Sequence, residues 1–97
     1  MPSRVLLLTR TGCHLCEEAE SAVAAVCEEV GASWRLVDVD TDANLRAHWT
    51  DHVPVTFVDG ELHGRWFVEP DRLKQALATG VPDPMPVDWL PSASGPR

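Results

Sequence analysis

Two cysteines three positions apart, Cys13 and Cys16 in the stretch TRTGCHLCEEAE (residues 9 to 20), are the residues of this chain whose type and spacing best suit chemistry. A C-x-x-C pair serves as a reversible dithiol, forms half of a metal site, or is a chance pair of small apolar residues. In the redox reading, Cys13 stands where an apolar run gives way to a helix. The unpaired N–H groups and the positive end of the helix dipole at that junction favour a thiolate, which makes Cys13 the nucleophile. Cys16, one helical turn along, can attack a mixed disulfide on Cys13 as the resolving thiol, and is expected to be more buried and less acidic. Gly12 leaves the nucleophile uncrowded, Arg10 favours the anion, a protonated His14 favours it further, and Glu17 opposes them.

The metal reading needs more ligands than the sequence supplies. A closed zinc site takes four, commonly from two Cys pairs or from Cys with suitably spaced His. There is no second C-x-x-C, and His48, His52 and His63 are not spaced as a set with the cysteines, so they read as surface or loop residues. Cys27 shares a helical face with Cys16 but lies about 16 Å further along at 1.5 Å per residue, beyond the reach of a bridge. It reads as a buried apolar filler. His52, two positions before Pro54, is the histidine placed to approach the dithiol. Asp38, Asp40 and Asp42 lack the glycine and terminal glutamate of a calcium loop and read as strand-end and helix-capping groups. Trp34, Trp49 and Trp66 read as partial core rather than a stacking platform, with Trp66 alone a candidate to line a groove.

The elements that must position the pair follow from the apolar pattern. Arg4 to Thr9 is a Val/Leu run without polar alternation, as in a strand covered on both faces. From His14 to Val30 the apolar residues recur at helical spacing, with Glu17, Glu18 and Glu20 in the early turns and Gly31 to close the end. Ser33 to Asp40 alternates well enough for a second strand, and a short helix is expected from Thr41 to Trp49 with Asp40 or Thr41 as cap. Asp59-Gly60 between two β-rich runs is the preferred pair for a type I′ turn, which makes Val53 to Val58 and Glu61 to Trp66 an antiparallel hairpin. Pro70 opens a last helix that runs to Thr79, with Gly80 as its stop. After Gly80 the chain is Pro-rich and weakly patterned, so residues 1-80 are expected to form the domain and 81-97 a tail, of which Trp89 and Leu90 can fold back. The order βαβαββα implies an α/β fold, a four-stranded mixed sheet with helices on both faces.

Composition narrows the partners. A chain of 97 residues, 44% hydrophobic, suits one core. Fifteen acidic against eight basic residues, a net charge of -7, repel a phosphate backbone, so nucleic acid is not an expected partner. The N-terminal apolar run, Val5 to Leu8, is far shorter than the roughly 20 residues of a membrane helix and lacks the features of a signal peptide. No membrane association is expected, and the reading is a cytoplasmic monomer. Three cysteines do not make the even set of a disulfide-stapled secreted scaffold.

TGCHLC after a buried strand, VPV at Val53 to Val55 and VDG at the hairpin together resemble the glutaredoxin-like branch of the thioredoxin superfamily, over roughly residues 4 to 80. The resemblance implies a thioredoxin-like fold with catalytic Cys13 and Cys16 and a cis-proline at Pro54 facing them. It implies that Gly12, His14, Leu15, Val53 and Pro54 contact substrate, with backbone near Val53 free to pair with an extended chain. The implied activity is thiol-disulfide oxidoreduction on protein or low-molecular-weight disulfides, without a cofactor, with an external thiol or reductase as electron donor. The chain departs from typical glutaredoxins in carrying His14-Leu15 in place of Pro-Tyr between the cysteines. It also has HGRWFVEPD where they carry Gly-Gly and the acidic residues that hold glutathione. Two other readings use the same scaffold: a non-enzymatic binding module, favoured by the missing glutathione determinants, and an iron-sulfur cluster carrier sharing Cys13 with an external thiol.

Overall fold

The computed structural model describes residues 2–91. Its elements run β1 (Val5–Thr9), α1 (His14–Val30), β2 (Trp34–Asp38), a 3-10 turn (Val39–Thr41), α2 (Ala43–Trp49), β3 (Val55–Val58), β4 (Glu61–Arg65) and α3 (Pro70–Thr79). The sheet order is β2-β1-β3-β4, with β1 parallel to β2 and antiparallel to β3, and β3 antiparallel to β4. This is the expected four-stranded mixed α/β sheet, thioredoxin-like in architecture.

Because β1 is central, its whole Val/Leu run is buried, and successive side chains feed two cores. Val5 and Leu7 pack with Ala19, Val23 and Cys27 of α1 and with Leu73 and Leu77 of α3. Leu6 and Leu8 pack on the other face with Val39, with Leu45 and Trp49 of α2, and with Met85. Helices therefore cover both faces.

Several boundaries differ from the sequence reading, each for a local reason. The second strand stops at Asp38 instead of Asp40, because the Asp38 carboxylate accepts the Asp40 N–H at 2.8 Å and draws the chain into the 3-10 turn. The cap of α2 is Asp42, not Asp40 or Thr41: its carboxylate accepts from the Asn44 and Leu45 N–H groups at 2.9 and 3.1 Å. The third strand starts at Val55 instead of Val53, since Pro54 brings no N–H to the ladder. The fourth ends at Arg65, because Trp66 takes a left-handed backbone (φ 68°) that no strand continues. The hairpin turn is as expected, with both Asp59 (φ 51°) and Gly60 (φ 85°) at positive φ.

The segment after Gly80 makes no regular element but lies on the domain. Met85 is buried and exchanges backbone hydrogen bonds with Ser3 at 3.0 and 2.8 Å. Trp89 sets its ring edge-on to Phe57, with centroids 5.5 Å apart, and its carbonyl accepts from Arg35. The end of the expected tail, residues 92–97, lies outside the described residues. Among the described residues no helix is long and apolar enough to cross a membrane.

Candidate active site

The loop from β1 into α1 sets Cys13 in place. Thr11 Oγ1 donates to Asp38 Oδ2 at 3.0 Å, which ties the loop to the end of β2, and the Cys13 N–H donates to the Arg10 carbonyl at 3.3 Å. Gly12 has φ 77°, a left-handed conformation that side chains rarely adopt, whereas a Cβ built on it meets nothing within 4 Å. Glycine is therefore required by backbone conformation and not, as the sequence reading had it, by the need for room beside the sulfur.

Cys13 is itself the N-cap of α1, and its Sγ accepts the Cys16 N–H at 3.2 Å. A sulfur held there meets the unpaired end of the helix, where negative charge is favoured. Cys13 and Cys16 are joined as a disulfide with Cα atoms 5.2 Å apart. Their exposures differ: Cys16 is buried in the core of the α2 face, while Cys13 is half-buried and opens onto a cleft.

That cleft has a volume of about 370 Å³, and Gly12, Cys13, His14, Leu15 and Val53 all line it. Pro54, whose bond to Val53 is cis, is fully buried behind the lining. Arg10, Thr50, Asp51 and Trp66 complete the walls. Thr50 and Asp51, at the end of α2, carried no signal in the sequence beyond preceding Val53-Pro54. Arg10 is turned toward Thr50, donating to its Oγ1 at 3.4 Å. His14 is exposed and faces carboxylates of its own helix, 3.8 Å from Glu17 and 4.0 Å from Glu18.

Trp66, read from the sequence as partial core with a groove as the alternative, takes the alternative. It stands at the cleft 44% exposed. Its backbone N–H donates to the Pro54 carbonyl at 2.6 Å and its indole N–H to the Asp51 carbonyl at 3.3 Å. Trp49 is core, as expected, and Trp34 packs half-buried against the α1 face. His52 does not join the dithiol site. Its ring lies between Trp49 and Trp66, with centroids 6.5 and 6.3 Å away, and neither nitrogen has a hydrogen-bond partner among the described residues.

Cys27 is buried and unpaired, and burial pushes its thiol up to about 11, with Arg4 pulling the other way. It packs as apolar filler in the core on the opposite face of the sheet from Cys16. Burial lowers the pKa of His63, helped by Arg72 and opposed by Glu69. Among the described residues no three His, Cys, Asp or Glu side chains converge to hold a metal. The constellation that can do chemistry is thus a half-buried sulfur at a helix N-terminus, a second sulfur buried one turn behind it, and a cleft in front.

Known proteins resemble this chain in sequence and in fold. Residues 4–78 match the family model of the glutaredoxin-like domain (DUF836). An uncharacterized protein of Mycobacterium tuberculosis is 34% identical over 93 residues, covering 91% of this chain and 96% of its own. A crystal structure of a structural-genomics target from X. campestris superposes with a TM-score of 0.65 at 27% identity, covering 79% of this chain and 99% of that one. The solution structure of a Nitrosomonas europaea protein superposes at 0.63 with 25% identity, covering 77% and 91%. A family match that spans β1 to α3 and includes the Cys13–Cys16 pair settles the relationship: the chain belongs to the glutaredoxin-like domain family, within the thioredoxin-like fold.

Proposed function

We propose that the protein is a thiol-disulfide oxidoreductase that reduces protein or low-molecular-weight disulfides through Cys13 and Cys16. The observation that carries this reading is the unequal exposure of the two sulfurs: Cys13 faces the cleft from the N-cap of α1, and Cys16 is buried directly behind it. That is the division of labour a two-step exchange requires.

In the first step the Cys13 thiolate attacks one sulfur of the substrate disulfide. The bond between the substrate sulfurs breaks, a mixed disulfide forms on Cys13, and the first substrate sulfur leaves as a thiolate that takes up a proton. The Cys16 thiol then loses its proton and attacks Cys13 Sγ. The mixed disulfide breaks, the second substrate thiolate leaves, and the Cys13–Cys16 disulfide remains. Two electrons have passed to the substrate. An external dithiol, two monothiols or a thiol reductase returns them. The helix N-terminus and the Cys16 N–H stabilise charge on Cys13 in both directions. Gly12, His14, Leu15 and Val53 front the substrate, with the Val53 backbone available to an extended chain and Pro54 shaping the wall behind it. The reading takes the protein as a cytoplasmic monomer that works on small thiols or protein disulfides rather than on nucleic acid or membranes.

The test is turnover of a small disulfide with a thiol donor in Cys13→Ser, Cys16→Ser and Cys27→Ala. Cys13→Ser is expected to abolish it, Cys16→Ser to accumulate a mixed disulfide on Cys13 visible by mass, and Cys27→Ala to retain it. Turnover in Cys13→Ser equal to that of the parent overturns the assignment.

A further inference from the structure

Leu15 and Trp66 line two cavities at once. On one side is the dithiol cleft; on the other is a pocket of about 80 Å³ that they share with Ala19, Phe67, Val68 and, as its one charged group, Glu18. The second pocket is too small for a whole ligand, since such sites run to roughly 300 Å³ and more, and suits a single side chain. Five of its six lining residues carry apolar side chains, with Glu18 and backbone supplying polar surface, and its lip is exposed: Leu15 at 37%, Trp66 at 44% and Phe67 at 67%. Leu15 and Trp66 at the edge of the dithiol cleft, continued by Phe67 at the small pocket, form the kind of exposed apolar patch that marks a contact surface.

The backbone also holds this wall in place. An aromatic residue at φ 68° is an outlier that persists only where its surroundings over-determine it. At Trp66 the determinants are the Pro54 and Asp51 carbonyls, both on the cleft side of the molecule. The main chain therefore takes a strained conformation that leaves an indole at the cleft when a small residue there would sit more easily.

Resting on the oxidoreductase reading, we infer that the substrate is a polypeptide disulfide with an uncharged apolar side chain within two positions of the reacting cysteine, selected by Trp66, Leu15 and Phe67. Because the pocket and the cleft share Leu15 and Trp66, a side chain seated in the pocket belongs to a residue close in sequence to the cysteine that meets Cys13, with about 3.4 Å per residue if that stretch is extended. Acidic neighbours are disfavoured by the apolar side chains they would displace and by the net charge of -7; at the wall itself Glu18 and Asp51 are offset by Arg10 and the Arg65 guanidinium, 5.3 Å over the Trp66 ring. The exchange is that already written, with the peptide supplying both substrate sulfurs and receiving both electrons. Trp66 acts as a specificity residue and takes no part in moving electrons.

The test is single-turnover oxidation of the reduced protein by symmetrical peptide disulfides with Leu, Ser or Glu on both sides of the cysteine, and by 2-hydroxyethyl disulfide. Rates are read by acid quench, alkylation and mass. The expected rate for the Leu peptide is roughly tenfold that for the Ser peptide, the low end of what an apolar pocket discriminates, with the Glu peptide slowest. Trp66→Ser and Phe67→Ser are expected each to cut the Leu-to-Ser ratio at least threefold. Phe67→Ser leaves the bonds to Pro54 and Asp51 alone, so it separates loss of the apolar wall from loss of the Trp66 backbone position. Equal Leu and Ser rates in the parent, or a ratio that survives both substitutions, overturns the specificity while leaving the oxidoreductase reading intact. No reaction with any disulfide, 2-hydroxyethyl disulfide included, overturns both.

Discussion

Replacing Asp59 by Asn tests whether one ion pair closes the end of the domain remote from the dithiol. Arg4 Nε and Nη2 donate to the two Asp59 oxygens at 3.0 and 2.8 Å, and Arg4 Nη1 reaches the Leu77 carbonyl at 3.0 Å. Asp59 also accepts the Asp83 N–H at 3.0 Å. One carboxylate thus joins the start of β1, the hairpin turn, the end of α3 and the segment beyond it. Both side chains are largely buried, at 17% and 11% exposure, so solvent screens the pair less than a surface bridge. Asn tolerates the left-handed turn position and keeps one acceptor, so the variant loses the charge and one charge-assisted bond, worth about 1.5–3 kcal/mol. At roughly 4–8 °C per kcal/mol for a domain of this size, Tm is expected to fall by about 6–24 °C. The Arg4 hydrogen bond, against the opposing effect of burial, holds the Asp59 carboxyl below the usual carboxylate range. A group whose folded pKa is depressed contributes stability that is present above the unfolded value, about 3.9, and is lost as pH falls through the folded value. Urea unfolding at pH 7, 5, 4 and 3 should therefore show a constant gap between parent and variant down to about pH 5 that narrows below about pH 4. Cys13 labelling rates should not change, because β1 separates the pair from the dithiol loop by about 17 Å at 3.4 Å per residue. A gap below about 0.5 kcal/mol at pH 7, the range of an ordinary surface change, or one that persists at pH 3, refutes the reasoning.

Other outcomes follow from the same geometry. Thr56 is buried on β3 and its hydroxyl has no partner among the described residues, so Thr56→Val is expected to raise stability by about 1 kcal/mol in urea unfolding. Gly12→Ala should destabilise by about 1–2 kcal/mol, the cost of a left-handed alanine, and Gly12→Asn by less; equal losses would show that space, not conformation, selects glycine. In the reduced protein at neutral pH, iodoacetamide should label Cys13 and spare Cys27 until urea exposes it. With the Cys27 thiol pushed up to about 11, its contribution to stability is full below the ordinary thiol value and is lost as pH rises toward that figure. Urea unfolding of Cys27→Ala should accordingly be flatter between pH 9 and 11 than that of the parent.

Where burial and turn chemistry were strong, the fold was legible. The unbroken Val5 to Leu8 run reads as a strand covered on both faces, and Asp59-Gly60 has the residue pair that two consecutive positive φ values favour. The stretch from Ser33 to Trp49 was less legible because four residues there compete for one role. Asp38, Asp40, Thr41 and Asp42 all suit a cap, and periodicity does not say which carboxylate captures which N–H. The structure gives Asp38 to the 3-10 turn and Asp42 to α2. The buried Met85 was hidden by the prolines around it, because it joins the core through an isolated bridge to Ser3 that has no repeat to read.

The site followed a different logic, in which register did what motifs could not. Cys13 and Cys16 were legible from spacing, and Val53-Pro54 from resemblance. Trp66 was legible only as the weaker alternative, a groove residue, because its pattern, an aromatic at the end of a β-rich run, is that of a core residue. The ladder pairs show why it is elsewhere: Leu8 lies opposite Val55, and Val55 opposite Arg65. The last turn of β1, the start of β3 and the end of β4 therefore sit side by side at one end of the sheet. What leaves the ladder there must meet: the Cys13 loop after β1, Val53 before β3 and Trp66 after β4. The Asp59-Gly60 turn sets Val58 opposite Glu61 and Phe57 opposite Leu62, and an extra residue on β4 then shifts the register so that Val55 meets Arg65, which brings Trp66 beside the dithiol loop; that shift carries no signal in the sequence. The left-handed backbone of Trp66 then turns an exit from the sheet into a wall of the cleft.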